Sequence, residues 1–229
     1  MNGVYDLGGV QGFGPIESSN SGEESGLGHF HEDWEKRILG MALWVVGSGM
    51  PLEYMRYCRE RQFPKNYFDR SYYETWLYGL VLALIEQGEV TAEEMIRRGL
   101  ITQEELDMAI SLRQDALAGP SILQAREMTP PQFKVGDAVR TIVQRPSGHT
   151  RETRYSRGMM GVIEHVYDGN DVGEIEARTF ADARGTSLEK IERPLYTVRF
   201  RGSELWGDFA EDNTYVNVNM WEDYLEPAA

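Results

Sequence analysis

The chain has a single cysteine, Cys58, in 229 residues. No disulfide can close within it, and one thiolate cannot build a metal cluster. A reducing, intracellular compartment is therefore expected. Basic residues are scarce: 23 Lys and Arg stand against 37 Asp and Glu, a formal net charge of −14. So acidic a chain repels phosphate backbones, and no nucleic-acid partner is expected. No apolar run is long enough to span a bilayer. The opening residues lack a basic segment followed by an apolar core, and Asp6 interrupts them early. A soluble, cytoplasmic protein with no membrane association is the expectation. There is also no nucleophile paired with a base, no nucleotide loop and no closed set of metal ligands. The glycines near the N-terminus follow no strand and do not match the dinucleotide fingerprint.

What the sequence does have is a basic stretch in an acidic chain. Residues 145–161 hold Arg145, Arg151, Arg154 and Arg157 but only one acidic residue, Glu152. Pro146, Gly148, Gly158 and Gly161 turn it, and strand-like runs flank it at Asp137–Val143 and Val162–Tyr167. Such a connection can be a solvated surface loop. It can also aim rigid guanidinium forks at an anion, for which arginine is the suited side chain.

Residues 1–28 are dense in glycine, with Val4, Tyr5, Leu7, Val10, Phe13 and Ile16 spaced singly. They cannot fold a core of their own; the scattered apolar residues favour an arm that orders against a partner. Helical spacing follows. Trp34, Ile38, Met41, Ala42 and Val45 recur until Gly47 and Gly49, and a second helix is expected over 51–62. Ser71 to Glu74, Thr91 to Glu94 and Thr102 to Glu105 read as capping boxes. From Phe133 the apolar period becomes two, with strands expected at 137–143, 161–167, 195–201 and 214–218, and a last apolar piece at 220–225. The stretch 168–194 is polar and unassigned. The expected fold is α+β: an extended arm at 1–30 wrapping a partner subunit, an all-helical domain at 31–118, a linker at 119–132 and a small SH3-like β-barrel at 133–229.

Four groups of residues are chemically suggestive. His29, His31 and Glu32 resemble a metal-site fragment but lack a third ligand at helical spacing, so a polar helix entry fits them. Cys58 has Arg56, Arg59 and Arg61 nearby, which could activate a thiol; with no histidine close in sequence, a structural cysteine fits better. Tyr72 and Trp76 lie four apart on one helix face, as either a core stripe or the wall of a pocket. Arg56 is, by composition, one helical arginine among several.

The order of segments resembles the nitrile hydratase beta-subunit family. The resemblance rests on Met1–Gly9 with Gly12-Phe-Gly14, on His31-Glu-Asp-Trp34-Glu35, on Ser71-Tyr-Tyr73 with Trp76-Leu77, and on Phe133–Asp137. Gly148-His-Thr-Arg151, Tyr155–Gly158, Leu195–Phe200, Glu204–Gly207 and Trp221–Pro227 extend it to the C-terminal end. The resemblance implies a hydro-lyase that converts nitriles to amides and is active only with an alpha subunit, as an αβ heterodimer or α2β2. It implies Fe(III) or Co(III) bound by that alpha subunit, in a cysteine cluster partly oxidised to sulfinate and sulfenate, and no metal ligand in this chain. By motif, Arg56 and Arg151 match the beta-subunit arginines that hydrogen-bond the oxidised cysteines. Tyr72 and Trp76 match residues of the nitrile pocket. The related thiocyanate hydrolases divide this region between two polypeptides, so one continuous chain favours nitrile hydratase. The other alternative is a non-catalytic module whose barrel binds an acidic partner through the arginine loop.

Overall fold

The computed structural model describes residues 3–6, 8, 30–119, 129–145, 148–171 and 192–228, with only the backbone at 168, 170 and 171. Helices come first: α1 (Asp33–Gly47), α2 (Leu52–Glu60), α3 (Pro64–Asp69), α4 (Tyr72–Gln87), α5 (Ala92–Arg97) and α6 (Gln103–Ala118). Strands follow: β1 (Ala138–Thr141), β2 (Met160–Asp171), β3 (Glu192–Arg201), β4 (Tyr215–Trp221) and β5 (Leu225–Pro227), with the short helix α7 (Gly202–Trp206) after β3. Helices followed by an antiparallel sheet agree with the α+β expectation. Among the described residues no helix is long and apolar enough to cross a membrane. The expected linker at 119–132 falls largely outside the described residues, as does most of the expected arm at 1–30.

Local chemistry sets the helix ends. Ser71 Oγ accepts from the Glu74 amide, and the Glu74 carboxylate accepts from the Ser71 amide. Gly88 ends α4 at φ 75°, a left-handed conformation that costs glycine little. Thr102 and Glu105 form the same reciprocal box on α6. At Thr91 only half the box forms. The threonine accepts from Glu94, but the Glu94 carboxylate turns to Arg97 and Arg98, whose charged donors outcompete a backbone amide. Helix α3 was not expected, because six mostly polar residues show no apolar period.

Helices α2 and α4 cross closely at Gly79. A Cβ there would collide with the Arg59 side chain and lie 3.2 Å from the Arg59 backbone nitrogen. Around this crossing Tyr54, Cys58, Leu82, Ala83 and Ala109 are fully buried. A buried ion pair is built into the same core. Arg61 donates to both Glu86 carboxylate oxygens at 2.8 Å, and Tyr54 donates to the same carboxylate.

The sheet runs β4-β3-β2-β1-β5, antiparallel throughout. Its core is Val139, Ile163, Tyr196, Val198, Phe200 and Met220. The expected closed barrel is not what its hydrogen bonding forms. Among the described residues β4 and β5 are the two ends of the sheet and do not pair with each other. They are consecutive in sequence, joined by a single 3-10 turn at Glu222–Tyr224. That turn redirects the chain so that β5 pairs with β1 instead of returning along β4. The ends meet through the covalent chain and not through a ladder. Glu222 in this turn is buried and accepts from Tyr196 Oη at 2.7 Å and from the Gln132 amide at 2.9 Å, tying the approach to the sheet onto its last bend.

Candidate functional site

Helix α2 presents Glu53, Arg56 and Glu60 on one face, spaced i, i+3 and i+7. The connection between β1 and β2 lays His149 against that face. The His149 ring is 2% exposed; its Nε2 lies 2.7 Å from Glu53 and its Nδ1 2.8 Å from Glu60. Burial alone lowers the pKa of an imidazole. Here the hydrogen bonds to two carboxylates and their charges outweigh it, pushing His149 up to about 9. With both ring nitrogens facing acceptors, the ring is held as an imidazolium.

The two candidate arginines flank this bridge. Arg56 pairs with the Glu53 carboxylate. Arg151 stands 3.9 Å from Glu60 and remains half exposed. Against the upward push of burial, the His149 hydrogen bond and the Arg56 charge hold Glu53 below the usual carboxylate range. The chain of contacts runs Arg56–Glu53–His149–Glu60–Arg151. It brings together two arginines far apart in sequence, one from the helices and one from the connection between strands.

The rest of the basic stretch divides. Arg157 is buried against Glu152, with its Nε 2.9 Å from the carboxylate, so its charge is neutralised inside the protein. Burial pushes Glu152 up to about 7. Arg145 and Arg154 are exposed. The stretch is therefore not a uniform anion-facing surface, because one of its four guanidinia is consumed by a buried ion pair.

Tyr72 and Trp76 share a face of α4, with ring centroids 5.7 Å apart. Tyr72 is 65% exposed. Trp76 is partly buried and has the Arg59 guanidinium 4.7 Å from its ring centroid. Its indole N–H is buried without a hydrogen-bond partner among the described residues. Tyr67 feels charges from both groups. Burial raises its pKa, Glu60 adds to that, and Arg59, Arg151 and Tyr72 all act on the same phenol. Sequence reasoning did not single out Glu53, Glu60 or Tyr67, and it met His149 only inside a motif. The i, i+3, i+7 acidic and basic pattern on α2 was the available signal.

Cys58 is fully buried, and burial pushes its thiol up to about 12 even with Arg61 Nη2 3.2 Å from the sulfur. It is a neutral, structural thiol. His31 lies 3.7 Å from Glu35 at the start of α1, as a polar helix entry, while His29 lies outside the described residues. Among the described residues no three His, Cys, Asp or Glu side chains group in a way that could hold a metal ion. Half-exposed guanidinia fit the neighbourhood of an anion. They cannot be ligands of a cation.

Comparison with known proteins adds the following. Residues 1–132 match the family described as nitrile hydratase beta subunit, N-terminal, and residues 123–227 match nitrile hydratase beta subunit, C-terminal. The chain is 32% identical over 240 residues to the cobalt-containing nitrile hydratase subunit beta of Pseudonocardia thermophila, covering 99% of this chain and 96% of that one. It is 32% identical over 234 residues to the nitrile hydratase subunit beta of Pseudomonas putida, covering all of both. A solved chain of the thiocyanate hydrolase apo-enzyme from Thiobacillus thioparus is 27% identical, covering 43% of this chain and 78% of that chain at a TM-score of 0.38.

Proposed function

The chain belongs to the nitrile hydratase beta-subunit family, and from that premise we propose that Arg56 and Arg151 are its contribution to the reaction centre. The protein is the beta subunit of an enzyme that hydrates nitriles to amides and depends on an alpha subunit. The reading places the metal, Fe(III) or Co(III), in that alpha subunit, where it supplies Lewis acidity toward the nitrile or a bound water. The cobalt-containing relative supports a metal of this class. The chain's own part is to hold the metal's surroundings. A guanidinium fork is the natural donor to oxidised cysteine oxygens, and such outer contacts orient the ligands themselves.

The observation that carries this reading is the bridge through His149. It links Arg56 on one side to Arg151 on the other, with both guanidinia partly exposed. Tyr72 and Trp76 form the wall of the nitrile pocket, where an exposed phenol and an indole N–H with no partner among the described residues suit a ligand with an apolar body and a polar end. The same reading includes a division at 119–132, an SH3-like curl of the sheet, an N-terminal arm against the alpha subunit, an α2β2 assembly and a cytoplasmic location. The direct test is co-expression with a nitrile hydratase alpha subunit, followed by an assay of nitrile consumption and amide formation. Hydration by the pair and none by this chain alone is the expected result. A metal-loaded pair that hydrates no nitrile overturns the reading.

A further inference from the structure

The N-terminal residues that the structure describes are folded onto this chain itself. Gly3 to Asp6 form a turn, with the Asp6 amide donating to the Gly3 carbonyl at 3.3 Å, and Val4 is buried. One oxygen of Asp6, Oδ1, accepts from the Gly8 amide at 2.8 Å, the local turn that aspartate favours. The other, Oδ2, accepts from the Arg154 amide at 2.8 Å, across 148 residues of sequence. Arg154 opens the 3-10 turn Arg154–Ser156, whose first amides have no partner inside the turn. Asp6 supplies that partner. Gly8, at φ 75°, lets the backbone run against the Arg154 guanidinium, and a Cβ there would collide with it. The Tyr5 ring lies 6.0 Å from the Arg151 guanidinium carbon.

We propose that Asp6 is a positioning residue for Arg151: its carboxylate clamps the connection between β1 and β2 and so sets where that guanidinium reaches. This rests on the assignment of Arg151 to the reaction centre. Glu60 holds the arginine's head at 3.9 Å, a loose contact for a half-exposed side chain. On the Arg154 side the Asp6 carboxylate fixes the turn three residues on. On the His149 side the two α2 carboxylates fix the ring two residues back. Arg151 thus lies on a segment bounded by these two anchors, with Thr150 and Glu152 between them bonded to Tyr224 and Gln144. One anchor is formed by the helices and the other by the extreme N-terminus. An arm whose only role was to embrace a partner would not need an aspartate with both oxygens engaged inside its own chain.

The test uses the assembled complex with the alpha subunit. Asp6→Ala is expected to raise amide hydrogen exchange across 148–157 and to lower kcat on the order of 10-fold with KM little changed. Asp6→Asn keeps one acceptor oxygen and should fall between wild type and Asp6→Ala, which covers the case in which the alanine variant assembles poorly. In an Arg151→Lys background, Asp6→Ala should cost little more, since both changes act on one guanidinium. Unchanged exchange across 148–157, or a kcat loss of full size in the Arg151→Lys background, overturns the proposal. If exchange rises as expected but Arg151→Lys alone keeps full activity, the assignment of Arg151 has failed. The proposal then falls with it, and the exchange data identify which link broke.

Discussion

Glu53 and Glu60 stand two turns apart on one helix and grip opposite nitrogens of a single ring, His149, at 2.7 and 2.8 Å. Each carboxylate also faces an arginine, Arg56 on one side and Arg151 on the other. A buried cation between two anions is strongly coupled to its surroundings, since removing one member leaves uncompensated charge.

Stability should therefore depend on pH in the alkaline range. The folded protein raises the His149 pKa from 6.5 to about 9. A group whose pKa is raised by folding stabilises fully below its unfolded value and loses that contribution as pH rises through the folded value. The contribution of about 3 kcal/mol should be complete below about pH 6.5 and fade toward pH 9 and above. Thermal melts of wild type and His149→Gln across this range check it. The variant should start lower and show a flatter profile; parallel curves would refute the linkage.

Arg56→Lys and Arg151→Lys should each assemble with the alpha subunit and retain metal, yet lose most activity. Lysine keeps the charge but not the planar fork, and losses of this kind run on the order of 10–100-fold. The double variant should lose less than the product of the single losses, because both arginines serve one centre. Specific activity measured beside metal content decides the matter. Full activity in either single variant returns that arginine to the surface.

Tyr72→Phe should cost little stability, because the side chain is 65% exposed. Its effect should fall on nitrile affinity or rate, and be modest. Trp76→Ala should change which nitriles are accepted and loosen Arg59, whose guanidinium lies over the ring. A panel of aliphatic and aromatic nitriles separates these outcomes. Unchanged kinetics in both variants would make the pair a packing feature only.

Gly79→Ala should destabilise the helical half by about 1–3 kcal/mol, since the added methyl collides with Arg59 where α2 and α4 cross. Urea denaturation measures this. A midpoint equal to wild type would mean that the crossing can open without cost, contrary to the contact geometry.

Much of the architecture was legible because it is written locally. The capping serine and threonine at 71 and 102, the glycine stop at 88 and the change of apolar period after Phe133 each act within a few residues, and the helices and strands lie where they point. The half-formed box at Thr91 was not legible, because Glu94 had two arginines to choose within its own helix. Nor was the open sheet. Closure depends on which strand β5 meets after the bend at Glu222–Tyr224, and that partner lies far back in the sequence, at Val139↔Pro227 and its neighbours.

The sequence by itself determined the family, the two-part order of helices then strands, and the residue types able to face an anion. Only the tertiary structure decided which groups each of those arginines meets within the chain. Arg157 is neutralised by Glu152, Arg56 and Arg151 are joined through His149, and Asp6 reaches across the chain to Arg154. The reason is physical. Periodicity and capping are interactions between neighbours along the chain, whereas the fate of a charge is set by whichever opposite charge the fold brings within a few ångströms, and that distance is not encoded at any single position.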